Sequence, residues 1–520
     1  MYPAIQAKSN PAHPAFIMAS TGETVTYGEL DLRSNRLAHL LRANGLQRLD
    51  HYAIFMENNN RYLECCAAGH RSGLYYTCIN SFLTAEEVAY ILTNSESQVL
   101  ITSREKLEVA RQALKLCPGV RLCLVVNDSP IDLRLEGLFA DYASAIQAHA
   151  DSPIPDECLG TSMLYSSGTT GRPKGVLRPL PEEPPTGELP VFAFLNKLWQ
   201  YRAGMTYLSP APLYHSAPQA AVALAIRNGG TVVIMEHFDP ETYLTLIEKY
   251  RVTHSQLVPT MFNRMLKLPT DIRARYDLTS LEIAVHAAAP CPVQIKEQMI
   301  DWWGPIIHEY YGATEAMGFT ACNSAEWLAH RGTVGKVMMG DLHILDEQMQ
   351  PSPKGVPGEI WFKTASPFVY FNDPQRTALT RSSDGTMSTV GDVGYVDDDG
   401  FLHLTDRSTF MIISGGVNIY PQECENLLIV HPKVADAAVF GVPNEDLGEE
   451  VKAVVQLIPG EQGGPALEAE LIAYCQARLA KLKCPRTIDF DAALPRLPTG
   501  KLYKKPLRDR YWAGKTSRIV

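Results

Sequence analysis

The chain of 520 residues has no apolar run long enough to cross a bilayer. Its most apolar stretch, residues 220–235, is cut by Arg227, Asn228 and two glycines, whereas a spanning helix needs ~20 consecutive apolar residues. Cysteine pairing motifs are missing as well. The eleven cysteines, an odd number spread from Cys65 to Cys484, include no Cys-x-x-Cys, so neither a disulfide frame nor a zinc site is expected and the thiols should be reduced and mostly buried. The start, Met1-Tyr2-Pro3-Ala4, lacks the basic segment and apolar core of a secretory signal, and a cytoplasmic location is expected. Positive charge is not in excess: Lys plus Arg 47 against Asp plus Glu 57 gives −10. The basic residues form no stripe, which argues against nucleic acid as a partner. There is no Gly-x-Gly-x-x-Gly, no complete Gly-x-x-x-x-Gly-Lys-Ser/Thr phosphate loop and no Gly-x-Ser-x-Gly elbow, so dinucleotide, Walker-type and serine-hydrolase readings lose their fingerprints.

What is present is the composition of a globular protein. Hydrophobic residues make up 46% and charged residues 20%, with 36 glycines and 36 prolines, which excludes collagenous and wholly disordered classes. At ~150 residues per domain, two to four domains are expected. Helical and strand patterns alternate along most of the chain, the signature of α/β sheets covered by helices. Capping boxes at Thr26/Glu29 and Thr84/Glu87 open two helices. Strands are expected at residues 98–102, 121–126, 162–165, 231–235, 255–258, 281–285 and 306–309, with helices at 105–116, 240–250 and 292–303. This predicts a large amino-terminal region of doubly wound sheets. From about Phe401 the texture changes to short strands (410–413 among them) and two helices, 421–430 and 466–482. A boundary at residues 406–409 divides the chain into 1–406 and a small, mobile α/β domain, 407–520. Residues 179–190, with five prolines, are expected to form a mobile surface loop.

The chemistry begins at Ser166-Ser167-Gly168-Thr169-Thr170-Gly171-Arg172-Pro173-Lys174-Gly175, directly after the expected strand 162–165. Hydroxyls, freely turning glycines and one lysine are what wrapping polyphosphate oxygens requires, because backbone N–H groups converge only where small residues permit it. Tyr311-Gly312-Ala313-Thr314-Glu315 then follows a strand end, where open α/β sheets bind ligands. It offers an aromatic face, a hydroxyl and a carboxylate able to hold a magnesium ion that bridges phosphates. Gly391-Asp392, Asp406-Arg407, Ser414-Gly415-Gly416 and Leu494-Pro495-Arg496-Leu497-Pro498-Thr499-Gly500-Lys501 come after it in that order.

The ten residues 166–175, with these motifs in this order from about Thr26 to Lys501, resemble the superfamily of AMP-forming acyl-CoA synthetases, adenylation domains and firefly luciferase. The resemblance implies that Ser166, Ser167, Gly168, Thr169, Thr170 and Lys174 bind the phosphates of ATP. Tyr311 would flank adenine, beside a loop that includes Ala288. Thr314 would contact phosphate, Glu315 would bind Mg²⁺, and Asp392 would accept hydrogen bonds from both ribose hydroxyls with Arg407 adding a second contact. His215, in Pro212-Leu213-Tyr214-His215, matches a position beside the substrate carboxylate and would gate the acyl site. Ser414, Gly415 and Gly416 would line the passage for coenzyme A. Lys501 would neutralise charge as the acyl-phosphate bond forms, an electrostatic task rather than a proton transfer.

Three departures from the family pattern stand out. His286-Ala287-Ala288-Ala289-Pro290 replaces a Gly-Gly-Ala-Pro run, so methyl groups are expected to narrow the pocket floor. The hinge position, commonly Asp or Lys, falls on Thr409, and Met387 and Val390 replace common neighbours of Gly391. The implied reaction is adenylation of a hydrophobic carboxylic acid by ATP, then transfer of the acyl group to coenzyme A, with no protein nucleophile. An adenylating enzyme that uses a carrier protein or an oxygen acceptor, and a non-catalytic nucleotide-binding regulator, are the alternatives. The sequence leaves a homodimer open.

Overall fold

The computed structural model describes residues 1–127, 137–166, 173–187, 190–364, 368–407, 410–414, 417–444, 446–496 and 502–513, with the side chains of 191, 406 and 407 excepted. The chain forms two compact units that are not contiguous stretches: Met1–Gln256, Leu268–Ala284 and Phe368–Ala378 make the first, and Leu257–Lys267, Val285–Pro367 and Leu379–Val520 the second.

In the first unit a six-stranded sheet runs Phe139–Asp141, Leu122–Val126, Val99–Ser103, His51–Phe55, Tyr75–Cys78, Thr161–Ser162, every pair parallel. Its central strands are apolar almost throughout because helices cover both faces, which is the condition a parallel sheet needs. The helices Tyr27–Ala43 and Ala85–Asn94 start where their capping boxes predict, with both reciprocal bonds made at Thr26/Glu29 and at Thr84/Glu87. In a second group, Thr206–Ser209 lies parallel to Thr231–Ile234 and His254–Leu257, and Pro14–Met18 extends the far edge in parallel.

Three short antiparallel strands complete this unit: Leu164–Ser166, Lys174–Leu177 and Val369–Tyr370. The proline-rich segment after them is on the surface, as expected, but it is tied down rather than loose. Tyr75 donates to the Arg178 carbonyl at 2.7 Å, Arg48 to Leu180 at 2.8 Å, the Leu159 N–H to Glu183 at 2.7 Å and Arg227 to Pro185 and Thr186. Prolines remove donors but not acceptors, so long donors from the body satisfy these carbonyls.

In the second unit Ile307–Gly312, Phe319–Cys322, Thr333–Met339, Leu402–Arg407, Asp392–Val396, Gly358–Lys363 and Asp341–Leu345 follow one another in an antiparallel array. The change from parallel to antiparallel therefore comes at Phe319, well before the change of texture at Phe401. Beyond it a smaller sheet orders Val417–Ile419, Ile412–Ser414, Gly448–Leu457 and Val434–Asn444, with Thr487–Phe490 parallel to Gly448–Leu457. Helices Gln422–Ile429 and Pro465–Gln476 pack over its apolar face through Leu428, Leu467 and Leu471. The second helix ends six residues short of the expected span, residues 466–482, because Leu479 keeps the apolar spacing in a non-helical segment that still packs on the core. All eleven cysteines are free and all but Cys158 and Cys291 are buried. Among the described residues no helix is long and apolar enough to cross a membrane.

Candidate active site

The phosphate-loop sequence joins two paired strands. Lys174 stands opposite Ser166 and Gly175 opposite Tyr165 in antiparallel register, so the ends of the loop are pinned face to face. Ser167, Gly168, Thr169 and Thr170 lie outside the described residues. The Lys174 Nζ sits 4.8 Å from the centroid of the Tyr370 ring, an aromatic contact that no sequence signal announced.

In the second unit, Ile307–Gly312 carries Tyr311 into the site. Burial alternates along this strand, with Ile307, Glu309 and Tyr311 inside, as a period of two requires. The Tyr311 hydroxyl donates to Asp392 Oδ2 at 2.8 Å, joining residues 81 apart in sequence. Asp392 opens the strand Asp392–Val396, and its register partner is Arg407. Strand pairing thus sets the backbones of Asp392 and Arg407 side by side, and the hydrogen bond adds the Tyr311 side chain; the Arg407 side chain lies outside the described residues. After Gly312 the chain turns, the Ala316 N–H donating to the Ala313 carbonyl at 2.9 Å, with Ala316 at φ 52°. Thr314 is half-buried in this turn and Glu315 is buried, 7% exposed.

Ala288 adopts φ 72°, a left-handed conformation that costs an alanine roughly 1 kcal/mol. Only part of the expected narrowing is seen: Ala287 is buried, but the Ala288 methyl is exposed. Beneath this loop and beneath Tyr311 lies a group that the sequence reading missed. Lys296 Nζ is 2.5 Å from Glu309 Oε2, His286 Nε2 is 3.4 Å from the same oxygen, and the Phe262 ring meets His286 edge-on. Full burial pushes the Glu309 carboxyl up, with Lys296 pulling against it, and holds His286 neutral far below its ordinary range.

His215 is the residue before the helix Ser216–Arg227, in extended backbone, and its side chain makes no capping bond. Its ring lies 4.3 Å from that of Tyr214, and burial lowers its pKa to about 3, so the imidazole is neutral. Burial likewise keeps the Tyr214 hydroxyl protonated. At the other end of the chain, Ser414 faces Val417 across an antiparallel pair. Gly415, Gly416, Thr409 and Lys501 lie outside the described residues.

In the second unit a strand-borne tyrosine is bonded to an aspartate, with a buried glutamate in the turn that follows; in the first, a lysine ends the Gly/Ser/Thr loop. The AMP-binding enzyme family model matches residues 4–369 and that of the AMP-binding enzyme C-terminal domain residues 423–501; the chain belongs to this family. It is an enzyme, an AMP-forming acid–thiol ligase that uses ATP. A feruloyl-CoA synthase of Amycolatopsis sp is 33% identical over 98% of this chain and 98% of its own. The fatty acid–[acyl-carrier-protein] ligase ScoC of Streptomyces coeruleorubidus is 30% identical over 99% of this chain and 96% of its own. ATP-bound MatB from Rhodopseudomonas palustris superposes with a TM-score of 0.80 at 26% identity, covering 99% of both chains.

Proposed function

We propose that the protein is an acyl-CoA synthetase that adenylates a hydrophobic monocarboxylic acid and passes the acyl group to coenzyme A. The observation that carries the nucleotide half is the Tyr311–Asp392 hydrogen bond with Arg407 in register. It presents an acceptor-only carboxylate, suited to a vicinal diol, beside an aromatic face suited to a base. The loop from Ser166 to Lys174 would hold the triphosphate, with Ser167, Gly168, Thr169 and Thr170 supplying N–H and O–H donors and Thr314 a further hydroxyl. Glu315 is a hard oxygen donor of the kind magnesium takes singly alongside phosphates, so the residues present fit a nucleotide-borne ion. Glu315 would hold such an ion, which would supply charge neutralisation for the pyrophosphate group.

The carboxylate oxygen attacks the α-phosphorus, the bond to pyrophosphate breaks, and the acyl-adenylate carries AMP as its leaving group. Lys501 offsets charge between the carboxylate and the α-phosphate; His215 walls the acyl site as a neutral imidazole rather than acting as acid or base. Neutral Tyr214 and neutral His215 offer no charge to pair with a second carboxylate, in keeping with a hydrophobic acid. The thiol of coenzyme A then attacks the carbonyl along the Ser414-Gly415-Gly416 hairpin. Residues 1–406 form the ATP- and carboxylate-binding part and residues 407–520 a lid that turns about Arg407 to Thr409, exchanging Lys501 for the hairpin between steps.

The test is incubation with Mg-ATP and a panel of fatty, aryl-alkanoic and cinnamate-like acids, with and without coenzyme A, read by mass spectrometry. AMP together with an acyl-CoA is expected, and ADP as the nucleotide product overturns the reading. Similarity to a fatty acid–[acyl-carrier-protein] ligase favours one second reading, transfer to a carrier protein. An acyl-adenylate that coenzyme A does not consume would select it. Lys501→Ala should abolish adenylation while sparing thioester formation from supplied acyl-adenylate; equal loss of both contradicts the role given to Lys501.

A further inference from the structure

The chain on either side of residues 497–501 is gripped at a closed neck. Arg496 and Leu502 face each other as an antiparallel bridge, and the Tyr503 N–H donates to the Pro495 carbonyl at 2.8 Å. Each side of the neck ends in an ion pair, part-buried upstream and nearly buried downstream. Upstream, the Arg496 guanidinium holds both oxygens of Asp436, which is 8% exposed on the strand Val434–Asn444. Downstream, Lys504 Nζ lies 2.7 Å from Glu425 Oε1, with both side chains under 10% exposed, and over the Phe410 ring. Glu425 also accepts the Val439 N–H at 2.7 Å. Both pairs therefore tie to one strand, Val434–Asn444, three residues apart.

Packing at the neck does not rest on these pairs alone. Leu494 and Leu507 already pack with Ala438, Phe440 and Val442 in an apolar cluster, and a buried ion pair is often no better for stability than apolar residues of the same volume. What the pairs add is direction: a bidentate guanidinium–carboxylate contact fixes orientation as well as distance. A lysine that stabilises developing charge requires placement of that kind.

Resting on the role proposed above for Lys501, we propose that Asp436–Arg496 and Glu425–Lys504 are positioning pairs that fix the chain flanking residues 497–501, on which that role depends. They act on adenylation through Lys501 and leave thioester formation alone. The experiment compares Asp436→Asn and Lys504→Met with the conservative Asp436→Glu and Lys504→Arg. Adenylation is read as ATP–pyrophosphate exchange with the acid that the panel identifies, and thioester formation from its premade acyl-adenylate and coenzyme A. The charge-removing variants should lose at least about tenfold in exchange while the second step stays within about twofold, and the conservative variants should recover. Amide hydrogen exchange should quicken over residues 495–503 and stay unchanged along Val434–Asn444. Parallel loss of both half-reactions, or quickened exchange along the whole strand, reduces the pairs to a structural role and overturns the proposal; so does an unaltered neck. If the wild-type protein forms no AMP with any acid, the functional reading and the adenylation role fall together, while hydrogen exchange still decides whether the pairs hold the neck.

Discussion

The hydrogen bond from Tyr311 to Asp392 can be deleted without disturbing packing, since Tyr311→Phe removes a single oxygen. A hydrogen bond to a charged group contributes about 1.5–3 kcal/mol, so the KM for ATP should rise roughly tenfold or more with kcat little changed. Steady-state kinetics at saturating acid would show it; a fall in kcat at constant KM would remove Asp392 from ground-state nucleotide binding. Lys296 makes a second case at this scale. Lys296→Met leaves Glu309 buried without its partner and should cost about 3–5 kcal/mol, whereas Lys296→Met with Glu309→Leu should regain most of it. Urea denaturation of the single and double variants measures the difference. The candidate groups were named from the order of the motifs, since a Gly-Asp pair or a lysine after glycines is by itself a common turn. The supporting groups were not announced: nothing in the spacing pairs Lys296 with Glu309, and a helix and a strand put them 2.5 Å apart.

Among the elements, helix starts were the most legible, because the bonds of a capping box span only three residues and depend on nothing distant. Strand ends were less so. The strand expected at 306–309 runs on to Gly312, since pairing of Tyr311 with Thr320 and Gly312 with Phe319 extends it. Gly335 shows how closely neighbouring strands can approach. It has φ 100°, and a Cβ there would lie 2.1 Å from the Ala321 carbonyl carbon, beside a register shift against Leu402–Arg407. Gly335→Ala should therefore abolish soluble expression or lower the denaturation midpoint sharply. Gly400→Ala, at φ 87° with nothing within 4 Å, bears only the backbone penalty of about 1 kcal/mol. Similar midpoints for the two variants would mean that the close approach is not real.

For the whole molecule the buried histidines set a pH dependence. Burial lowers His51 to about 4 and holds His70 and His286 well below their ordinary range, whereas each returns to about 6.5 when unfolded. Below about pH 6.5 the unfolded chain binds protons that the folded chain refuses, so stability falls with falling pH by roughly 1.4 kcal/mol per unit for each such histidine. Buried Glu64 and Glu309, shifted up, work in the opposite sense, adding stability that is lost as pH rises through their folded values, and so cannot offset the histidines between pH 7 and 5 unless those values reach that window. The urea midpoint should be lower at pH 5 than at pH 7; an unchanged midpoint would mean that these histidines are protonated or solvated in the folded protein.

The sequence by itself determined what local spacing and side-chain chemistry can carry: the alternation of helices and strands, the helix starts at Thr26 and Thr84, the order of the nucleotide motifs, and the family to which that order belongs. Only the tertiary structure decided which groups meet. Asp392 receives the Tyr311 hydroxyl, Lys174 lies over Tyr370, and the chain beside Lys501 is tied to Asp436 and Glu425. Those partners are distant in sequence. Strand order and register bring them together, and burial summed over a whole sheet selects these rather than the propensity of any one residue.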